Sequence, residues 1–487
     1  STVQKSGLTV VVLAAGGRTR MRSKTVKVLH PIAGRSMIGH VLAAARETGP
    51  ERIVTVVGHQ REEVSAHLRE IAPDAVLAVQ EEQLGTGHAV RVAVEAAGRL
   101  EGTVLVAYGD TPLLEGASLR SFAAEHEAAQ CAVSILSGIV ENPFGYGRVL
   151  RNADGDVEAI VEEKDATPAQ REVREINSGI LALDAEFLLG ALPRIGNDNA
   201  KGEYYLTDVV AIAREDGLTV GAYPIDDVMQ TEGVNDRAQL ARMGAEMNRR
   251  IVDRWMRDGV TVMDPATTWV DADVVLEPDV TILPGVQLLG ATVVAEDAVV
   301  GPDSTLKDCE IGAGARVVRT HGELAVIGAG ANVGPFSYLR PGTSLGAGGK
   351  IGGFVETKNA TIGDGAKVPH LSYVGDAEIG EGTNIGAGTI FANYDGMQKH
   401  RTTVGRQART ASNNTFVAPV TIGDGAATGA GTVVRRDVPP GALAVSGGPQ
   451  RTIERWALRK RAGTPQAEAA QAALDSRPAG EQDVAES

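Results

Sequence analysis

A loop of small residues follows the first apolar run of the chain, and basic side chains follow the loop. The run Leu8–Leu13 is typical of a buried strand, and the loop after it reaches Gly16. Backbone N–H groups in such a loop can approach a phosphate closely, and Arg20 and Lys27 supply positive charge for it. The combination indicates a nucleotide-handling enzyme, although the bulky Arg18 stands where a phosphate-binding loop favours glycine.

A second strand end carries a candidate metal ligand. The apolar run 103–107 precedes the turn Gly109-Asp110-Thr111-Pro112. Nucleotidyl transfer needs charge neutralisation, usually by Mg²⁺ held on few protein oxygens. Asp110 fits that need, whereas an isolated strand-end aspartate would as readily cap a turn.

A histidine in the second half of the chain could act as a general base. His370 stands in Pro369-His370-Leu371-Ser372-Tyr373, and the unperturbed pKa of histidine is close to neutral. A lone histidine is more often structural. Its place in a glycine-marked repeat region favours the catalytic interpretation.

The overall composition excludes several classes of protein. The formal net charge of −15 argues against general nucleic-acid binding, which needs a basic surface. Two cysteines, Cys131 and Cys309, lack metal-type spacing, so a zinc site or a disulfide framework is not expected. The sequence shows no signal-peptide pattern and no membrane-length apolar run. We expect a soluble cytoplasmic protein that has no membrane partner.

The first part of the chain alternates short apolar strands with helical patterns. Strands are predicted at 10–13, 53–57 and 103–107, and helices at 36–46 and 62–70. This alternation is typical of a mostly parallel α/β sheet, in which ligands bind beyond the carboxyl ends of the strands. Apolar residues at helical spacing within 235–258 predict a single exposed connecting helix.

From about residue 260 the pattern changes to a six-residue repeat. An aliphatic residue recurs every six positions and is often followed by glycine, as in Ile311-Gly312, Ile362-Gly363 and Ile422-Gly423. This repeat predicts a parallel β-helix in which three hexads complete one coil. The usual right-handed crossover rule does not fix the hand of such a coil.

These patterns divide the chain into five segments. We predict a first domain at 1–234, a linker helix at 235–259 and a β-helix domain at 260–450. A basic arm containing Trp456 covers 451–462. The remaining residues, 463–487, have little to bury and are predicted to be a disordered tail.

Several motifs in this order resemble one enzyme family along nearly the whole chain, from about residue 8 to 461. They are Leu-Ala-Ala-Gly at 13–16, Gln-Leu-Gly-Thr-Gly-His at 83–88, Gly-Asp-Thr-Pro-Leu at 109–113, Phe-Gly-Tyr-Gly-Arg at 144–148, Gly-Glu-Tyr-Tyr-Leu-Thr-Asp at 202–208, Gly-Val-Asn at 233–235, Pro-His-Leu-Ser-Tyr at 369–373 and Asn-Tyr-Asp-Gly at 393–396. The chain is similar to the bifunctional N-acetylglucosamine-1-phosphate uridyltransferases/glucosamine-1-phosphate acetyltransferases, particularly their actinobacterial branch.

The resemblance implies two reactions at two sites. The β-helix, left-handed in that family, would acetylate glucosamine 1-phosphate with acetyl-CoA. The first domain, a Rossmann-like mixed sheet, would transfer UMP from UTP to the product with Mg²⁺. The products would be pyrophosphate and UDP-N-acetylglucosamine, a cell-wall precursor for peptidoglycan. The resemblance also implies a homotrimer whose acetyltransferase sites are shared between subunits.

The resemblance assigns roles to individual residues of both sites. The nucleotide and sugar would be bound by residues at matching motif positions: Leu13, Ala14, Ala15, Gly16, Arg20, Lys27, Gln80, Gly85, Thr86, Gly147, Glu162, Asn177 and Asn235. Asp110 and Asn235 would hold the metal, and Gln80 would read the uracil. The acetyltransferase base would be His370, with glucosamine 1-phosphate bound by Arg340, Lys358, Tyr373, Asn384 and Glu356. Acetyl-CoA would meet Ala387, Asn393, Tyr394, Ser412 and Ala430.

Other interpretations remain open at this stage. Arg18 and Val26 replace the glycine and proline usual in the family. An impaired first loop would leave an acetyltransferase alone, or uridyl transfer would be retained but weakened. The chain could also be a nucleotidyltransferase of other specificity with a purely structural β-helix. A non-catalytic scaffold would explain neither His370 nor the cations Arg340 and Lys358.

Overall fold

The structure is a computed structural model that describes residues 7–16, 21–59 and 62–478. An α/β domain comes first, a long helix follows, and a parallel β-helix occupies most of the second half. The strands of the first domain are β1 Leu8–Leu13, β2 Pro31–Ile32, β3 Arg35–Ser36, β4 Arg52–Gly58, β5 Val76–Gln80, β6 Thr103–Tyr108, β7 Val133–Ile139, β8 Arg148–Arg151, β9 Val157–Val161, β10 Glu175–Asp184 and β11 Val220–Ile225. Its helices are α1 Met37–Glu47, α2 Glu62–Ile71, α3 Thr86–Ala97, α4 Gly116–Ala128, α5 Pro168–Arg171, α6 Ala185–Ala191 and α7 Val209–Glu215.

The main sheet of the first domain is mixed, in the order β11-β7-β10-β6-β1-β4-β5, with β8 and β9 attached at β10. The central strand β1 pairs in parallel with β4 and β6, whereas β10 runs antiparallel to β6 and β7. Val10, Val11 and Val12 are almost fully buried because apolar cores cover both faces of the sheet. The predicted Rossmann-like α/β sheet is therefore confirmed. The carboxyl ends of β1 and β6 meet at one edge, where the two predicted strand-end turns lie.

The predicted connecting helix is present as α8, Arg237–Arg257, but it is not fully exposed. Asp236 caps its start by accepting a hydrogen bond from Gln239 N. The side chain of Asn248 bonds to Val270 N and Thr268 O in the first coil of the β-helix. One face of α8 is therefore fixed against the second domain, which the apolar spacing of a single helix did not reveal.

The six-residue repeat forms a left-handed parallel β-helix, as predicted. Val275 pairs with Val293, eighteen residues on, which is the length of three hexads. The aliphatic residues of the repeat, such as Val280 and Val286, point inward and are fully buried. The strands are β12 Thr261–Val262, β13 Trp269–Val270, β14 Val275–Leu276, β15 Thr281–Ile282, β16 Gln287–Leu289, β17 Val293–Val294, β18 Val299–Val300, β19 Thr305–Lys307, β20 Glu310–Ile311, β21 Arg316–Val317, β22 Thr320–Glu323, β23 Val326–Ile327, β24 Asn332–Val333, β25 Ser337–Leu339, β26 Ser344–Leu345, β27 Lys350–Gly353, β28 Glu356–Ile362, β29 Lys367–His370, β30 Tyr373–Ile379, β31 Ile390–Ala392, β32 Thr402–Val404, β33 Thr415–Val417, β34 Val420–Ile422, β35 Ala427–Thr428, β36 Val433–Val434 and β37 Leu443–Ala444.

Two segments depart from the regular coils near the end of the chain. The stretch between β31 and β32 projects as a loop and interrupts the hexads. The segment predicted to be a disordered tail instead contains a helix, α10 Pro465–Asp475, preceded by α9 Trp456–Lys460. Thr464 caps α10, proline stands in its first turn, and alanine-rich sequence favours helix, so local propensity explains the difference.

Candidate active sites

The first candidate site, here called the N-terminal site, is built on the carboxyl ends of β1 and β6. Ala14 N donates to Val56 O at 2.8 Å and holds the start of the loop after β1 against β4. Lys27 Nζ lies 2.9 Å from Asp110 Oδ2, with the two side chains 16% and 22% exposed. The predicted cation and metal ligand thus meet across a sequence separation of 83 residues. Arg18 and Arg20 lie outside the described residues.

A loop from the end of the domain completes the surroundings of Asp110. Val234 N donates to Asp110 O at 3.1 Å. A Cβ atom at Gly233 would stand 3.2 Å from Asp110 Oδ2, so the glycine lets this loop approach the carboxylate closely. Asn235 follows directly, with its backbone N–H bonded to Gln239 Oε1. The two predicted metal ligands therefore belong to adjoining loops.

The predicted sugar-binding residues form a second group at the same edge. A Cβ at Gly147 would stand 3.2 Å from Glu162 Oε1, and Asn177 N donates to Gly147 O at 2.9 Å. Asn177 lies in an irregularity of β10, where its side-chain oxygen accepts from Gly179 N at 2.8 Å. This bulge packs on Tyr108, whose pKa is raised to about 12 by burial and then by the charge of Asp110. Tyr108 is therefore the residue that links the predicted sugar-binding residues to Asp110.

The predicted base-reading residues lie where β5 leads into α3. Gln80 is 2% exposed, and its side-chain nitrogen donates to Gly85 O at 3.3 Å. Thr86 Oγ1 accepts from Leu206 N at 2.9 Å. Gly85 has φ +100°, and a Cβ there would stand 2.6 Å from Tyr204 O. Glycine is required at this turn on both counts.

The second candidate site, here called the β-helix site, contains His370 at the end of β29. Its backbone pairs in register with Gly353, and Ser372 Oγ donates to its carbonyl at 2.8 Å. The imidazole is exposed, and among the residues that the structure describes no side chain hydrogen-bonds to it. The ring is therefore open to a substrate or to a neighbouring molecule.

A charged cluster lies on the adjacent face, centred on Asp376. Lys358 Nζ lies 3.5 Å from Asp376 Oδ2, which also accepts from Asn393 Nδ2 at 2.7 Å. Asn359 Nδ2 donates to the other oxygen at 2.9 Å. Burial alone would raise the pKa of Asp376, but these hydrogen bonds and the Lys358 charge together hold that pKa below its usual value. Asp376 is thus an ionised, 8% exposed carboxylate that fixes two predicted substrate-binding side chains.

Lys399 reaches the same cluster from the projecting loop. The close approach of the two amines raises the pKa of Lys358 and lowers that of Lys399, and the charge of Asp376 raises the pKa of Lys358 further. The loop thus brings a second amine to the predicted phosphate anchor.

A glycine controls the contact between two further predicted residues. Asn393 Nδ2 donates to Tyr373 Oη at 3.2 Å, directly beside Gly375. A Cβ at Gly375 would stand 2.3 Å from Tyr373 Oη and 2.6 Å from Asn393 Nδ2. Any larger residue would therefore displace both side chains.

In the single chain, the carboxylate of Glu356 contacts an arginine and not the imidazole of His370. Glu356 Oε2 lies 3.5 Å from Arg340 Nη1. The reason is the register, because Glu356 pairs with Tyr373 on the next coil rather than with His370. Arg340 and Glu356 instead flank the approach to Tyr373.

Three of the five residues predicted to meet acetyl-CoA align along one corner of the β-helix. Asn413 N donates to Ala387 O at 2.7 Å, and Gly431 N donates to Ser412 O at 2.9 Å. Successive coils therefore carry Ala387, Ser412 and Ala430 in a line, which extends the corner occupied by His370. The backbone of Asn384 pairs with the backbones of Lys367 and Arg409 on the neighbouring coils. Tyr394 is 61% exposed on the projecting loop.

Comparison with known proteins identifies the family of the chain. Residues 10–172 match the model of the MobA-like NTP transferase domain. The chain is 60% identical over 467 residues to the Bifunctional protein GlmU of Kineococcus radiotolerans, covering 96% of this chain and 95% of that protein. The chain belongs to the GlmU family. It is also 58% identical to the GlmU protein of Rhodococcus opacus over 95% of this chain and 94% of that protein. The corresponding protein of Mycobacterium tuberculosis is 56% identical over 96% and 95%.

Membership of the GlmU family bears on the interpretations left open by the sequence. The relatives are named as bifunctional, so the acetyltransferase-only interpretation is not supported. Val26 also gives no local reason for an impaired site. Its φ of −61° is the value that proline would have, so the valine preserves the backbone geometry.

Two features are absent from the described residues. None of the helices in these residues has the length and apolar character needed to cross a membrane. The same residues contain no group of three or more His, Cys, Asp or Glu side chains arranged to hold a metal. A site of one carboxylate and one amide, such as Asp110 with Asn235, falls below that number.

Sequence reasoning missed two supporting residues. Asp376 and Asn359 stand beside predicted residues in the chain, and their types gave no sign of a shared network. The usable signal was register, because Lys358 pairs with Gly375 on the next coil and Asp376 therefore lies opposite Asn359.

Proposed function

We propose that this protein acetylates glucosamine 1-phosphate with acetyl-CoA and then converts the product and UTP into UDP-N-acetylglucosamine and pyrophosphate. One observation carries the proposal. A single GlmU-family chain holds both a Lys27–Asp110 pair under the Gly233–Asn235 loop and His370 beside a Lys358–Asp376 cluster. The first arrangement suits phosphate chemistry, and the second suits transfer to an amine on a phosphorylated sugar.

In the acetyl transfer, His370 takes the proton from the attacking amine. The amine nitrogen forms a bond to the thioester carbonyl carbon, the carbon–sulfur bond breaks, and the thiolate of CoA receives the proton from the imidazolium. Lys358, Lys399 and Arg340 would bind the sugar phosphate. The Asp376 carboxylate keeps Lys358 and Asn393 in place for this binding.

In the uridyl transfer, a phosphate oxygen of N-acetylglucosamine 1-phosphate attacks the α-phosphorus of UTP. The bond to the β-phosphate breaks, and pyrophosphate leaves. Glu162, Asn177 and Gly147 would position the sugar, and Lys27 would contact the phosphates.

The oxygen donors present fit Mg²⁺. Asp110 offers a carboxylate and Asn235 an amide oxygen, and Mg²⁺ prefers few protein ligands together with phosphate and water. In the described part of the chain the Asn235 side chain makes no hydrogen bond, so its oxygen is available. When bound there, Mg²⁺ would neutralise charge on the triphosphate.

A homotrimer in the cytoplasm is part of the proposal. Phe336, Phe354 and Leu371 stack on successive coils next to His370, and they are 56%, 66% and 60% exposed. The two phenylalanine rings are parallel, with centroids 5.5 Å apart. Exposed apolar rows of this kind favour burial by another molecule. A second copy at this row would place its own residues beside His370, which supports sites shared between subunits.

Two assays on one preparation test the proposed function. Release of CoA is measured with glucosamine 1-phosphate and acetyl-CoA. Release of pyrophosphate is measured with UTP, N-acetylglucosamine 1-phosphate and Mg²⁺, with EDTA as the control. The proposal expects both activities, and the absence of either one refutes the corresponding half.

A further inference from the structure

A histidine outside the predicted site residues contacts the predicted base-reading glutamine. Gln80 ends β5, and His88 lies in the first turn of α3, just after Gly85. Gln80 Nε2 lies 2.9 Å from His88 Nδ1 and 3.3 Å from the backbone oxygen of Gly85. The glutamine is 2% exposed, so its amide is confined by these neighbours.

The contact with Gly85 shows which way the amide of Gln80 points. A backbone carbonyl can only accept a hydrogen bond, so the nitrogen of the amide must face it. The reversed amide would set two oxygens against each other. With the nitrogen in this position, Nδ1 of His88 is an acceptor, and the neutral ring carries its proton on Nε2.

The two contacts use both N–H groups of the Gln80 amide. Its Oε1 atom is left over, and across residues 7–16, 21–59 and 62–478 no hydrogen bond reaches it. The side chain can therefore offer a nucleobase only an acceptor.

We propose that His88 is a positioning residue that locks Gln80 as an acceptor, so that the N-terminal site selects a pyrimidine with a donor at ring position 3. The proposal rests on the proposed uridyl transfer and adds a basis for its choice of base. Uracil carries an N–H at position 3, whereas cytosine carries an unprotonated nitrogen that would repel Oε1. Without the acceptor at His88, the amide loses one of the two hydrogen bonds that hold it in this orientation.

The test compares UTP with CTP in the pyrophosphate-release assay on the full-length protein. His88→Leu removes the acceptor, and His88→Ala does so with a smaller side chain. His88→Asn keeps a side-chain oxygen near the position of Nδ1. We expect the ratio of kcat/KM for UTP over CTP to fall about tenfold or more in the leucine and alanine variants. The asparagine variant should keep the ratio within about threefold of wild type.

Matched controls separate positioning from damage to the fold. Glu95→Gln changes an exposed residue of the same helix and should leave the ratio unchanged. The thermal unfolding transition of each variant, followed by circular dichroism, reports whether its first domain is folded. Equal losses for UTP and CTP in both the leucine and alanine variants would overturn the role of His88. A wild type that turns over neither nucleotide would instead refute the proposed uridyl transfer, and the inference with it.

Discussion

The two candidate sites differ in how the chain brings their residues together. The N-terminal site gathers segments that are far apart in sequence, and it holds them with single contacts such as Lys27 to Asp110 and Val234 to Asp110. The β-helix site gathers residues from successive coils, and the parallel register holds them with repeated backbone hydrogen bonds. Local changes should therefore affect each site separately.

The sharpest test of this separation is His370→Ala. Loss of the proposed general base should lower acetyl transfer by about 10²- to 10⁴-fold, because no other side chain of the described residues hydrogen-bonds to the imidazole. Pyrophosphate release should stay within about twofold of wild type. A parallel fall in both activities would show that the two sites depend on each other.

The reciprocal change is Asp110→Asn. The amide keeps the shape but loses the charge that faces Lys27 and the proposed metal, so uridyl transfer should fall by about a hundredfold. Acetyl transfer should not change, and Asp154→Asn, at an exposed turn of the same domain, serves as the matched control. Activity restored by raised Mg²⁺ would identify metal binding as the main loss.

Asp376→Asn tests the contacts that hold Lys358 and Asn393 in the β-helix site. Removing the charge should lower kcat/KM for glucosamine 1-phosphate about tenfold, with KM taking most of the effect, since Lys358 and Asn393 lose their anchor. Asp364→Asn is the control, because its side chain can still accept from Ala347 N.

The same carboxylate predicts a dependence of stability on pH. The pKa of Asp376 is lower in the folded protein than its usual value of 3.8. Its contribution is therefore complete above that usual value and is lost as the pH falls through the folded pKa. Acid unfolding followed by circular dichroism should show a weaker loss of stability below pH 4 in Asp376→Asn than in wild type. Identical acid curves would contradict this assignment.

Much of both sites could be predicted from the sequence because their motifs are local. The hexad period locates the coils, and strand-end turns locate Asp110. The pairing of Glu356 could not be predicted from spacing alone, because coil length varies. Val275 pairs with a residue eighteen positions on, Glu356 with one seventeen on, and Thr305 with one sixteen on. A difference of one or two residues in a coil moves a side chain to a different neighbour.

The smallest expected effect concerns Val26 in the N-terminal site. Val26→Pro should raise the free energy of unfolding of the first domain by about 0.4–1 kcal/mol, because φ already suits proline and the described chain gives its N–H no hydrogen-bond partner. Leu29→Pro is the contrasting variant. Leu29 N donates a hydrogen bond to Val26 O, and the loss of this bond should destabilise the first domain. Thermal unfolding of the two variants measures the difference, and a destabilised Val26→Pro would contradict the expectation.

The stacking of coils also sets how the two reactions are joined. His370 ends β29, which is six strand-to-strand steps from β12 along one face of the β-helix. At about 4.8 Å per step, it stands about 29 Å above the coil where α8 delivers the chain. Under the proposed function, an intermediate made at one end must diffuse through bulk water to the other. Its supply to the second reaction would follow its cellular concentration, so the intermediate could be diluted, trapped or added from outside.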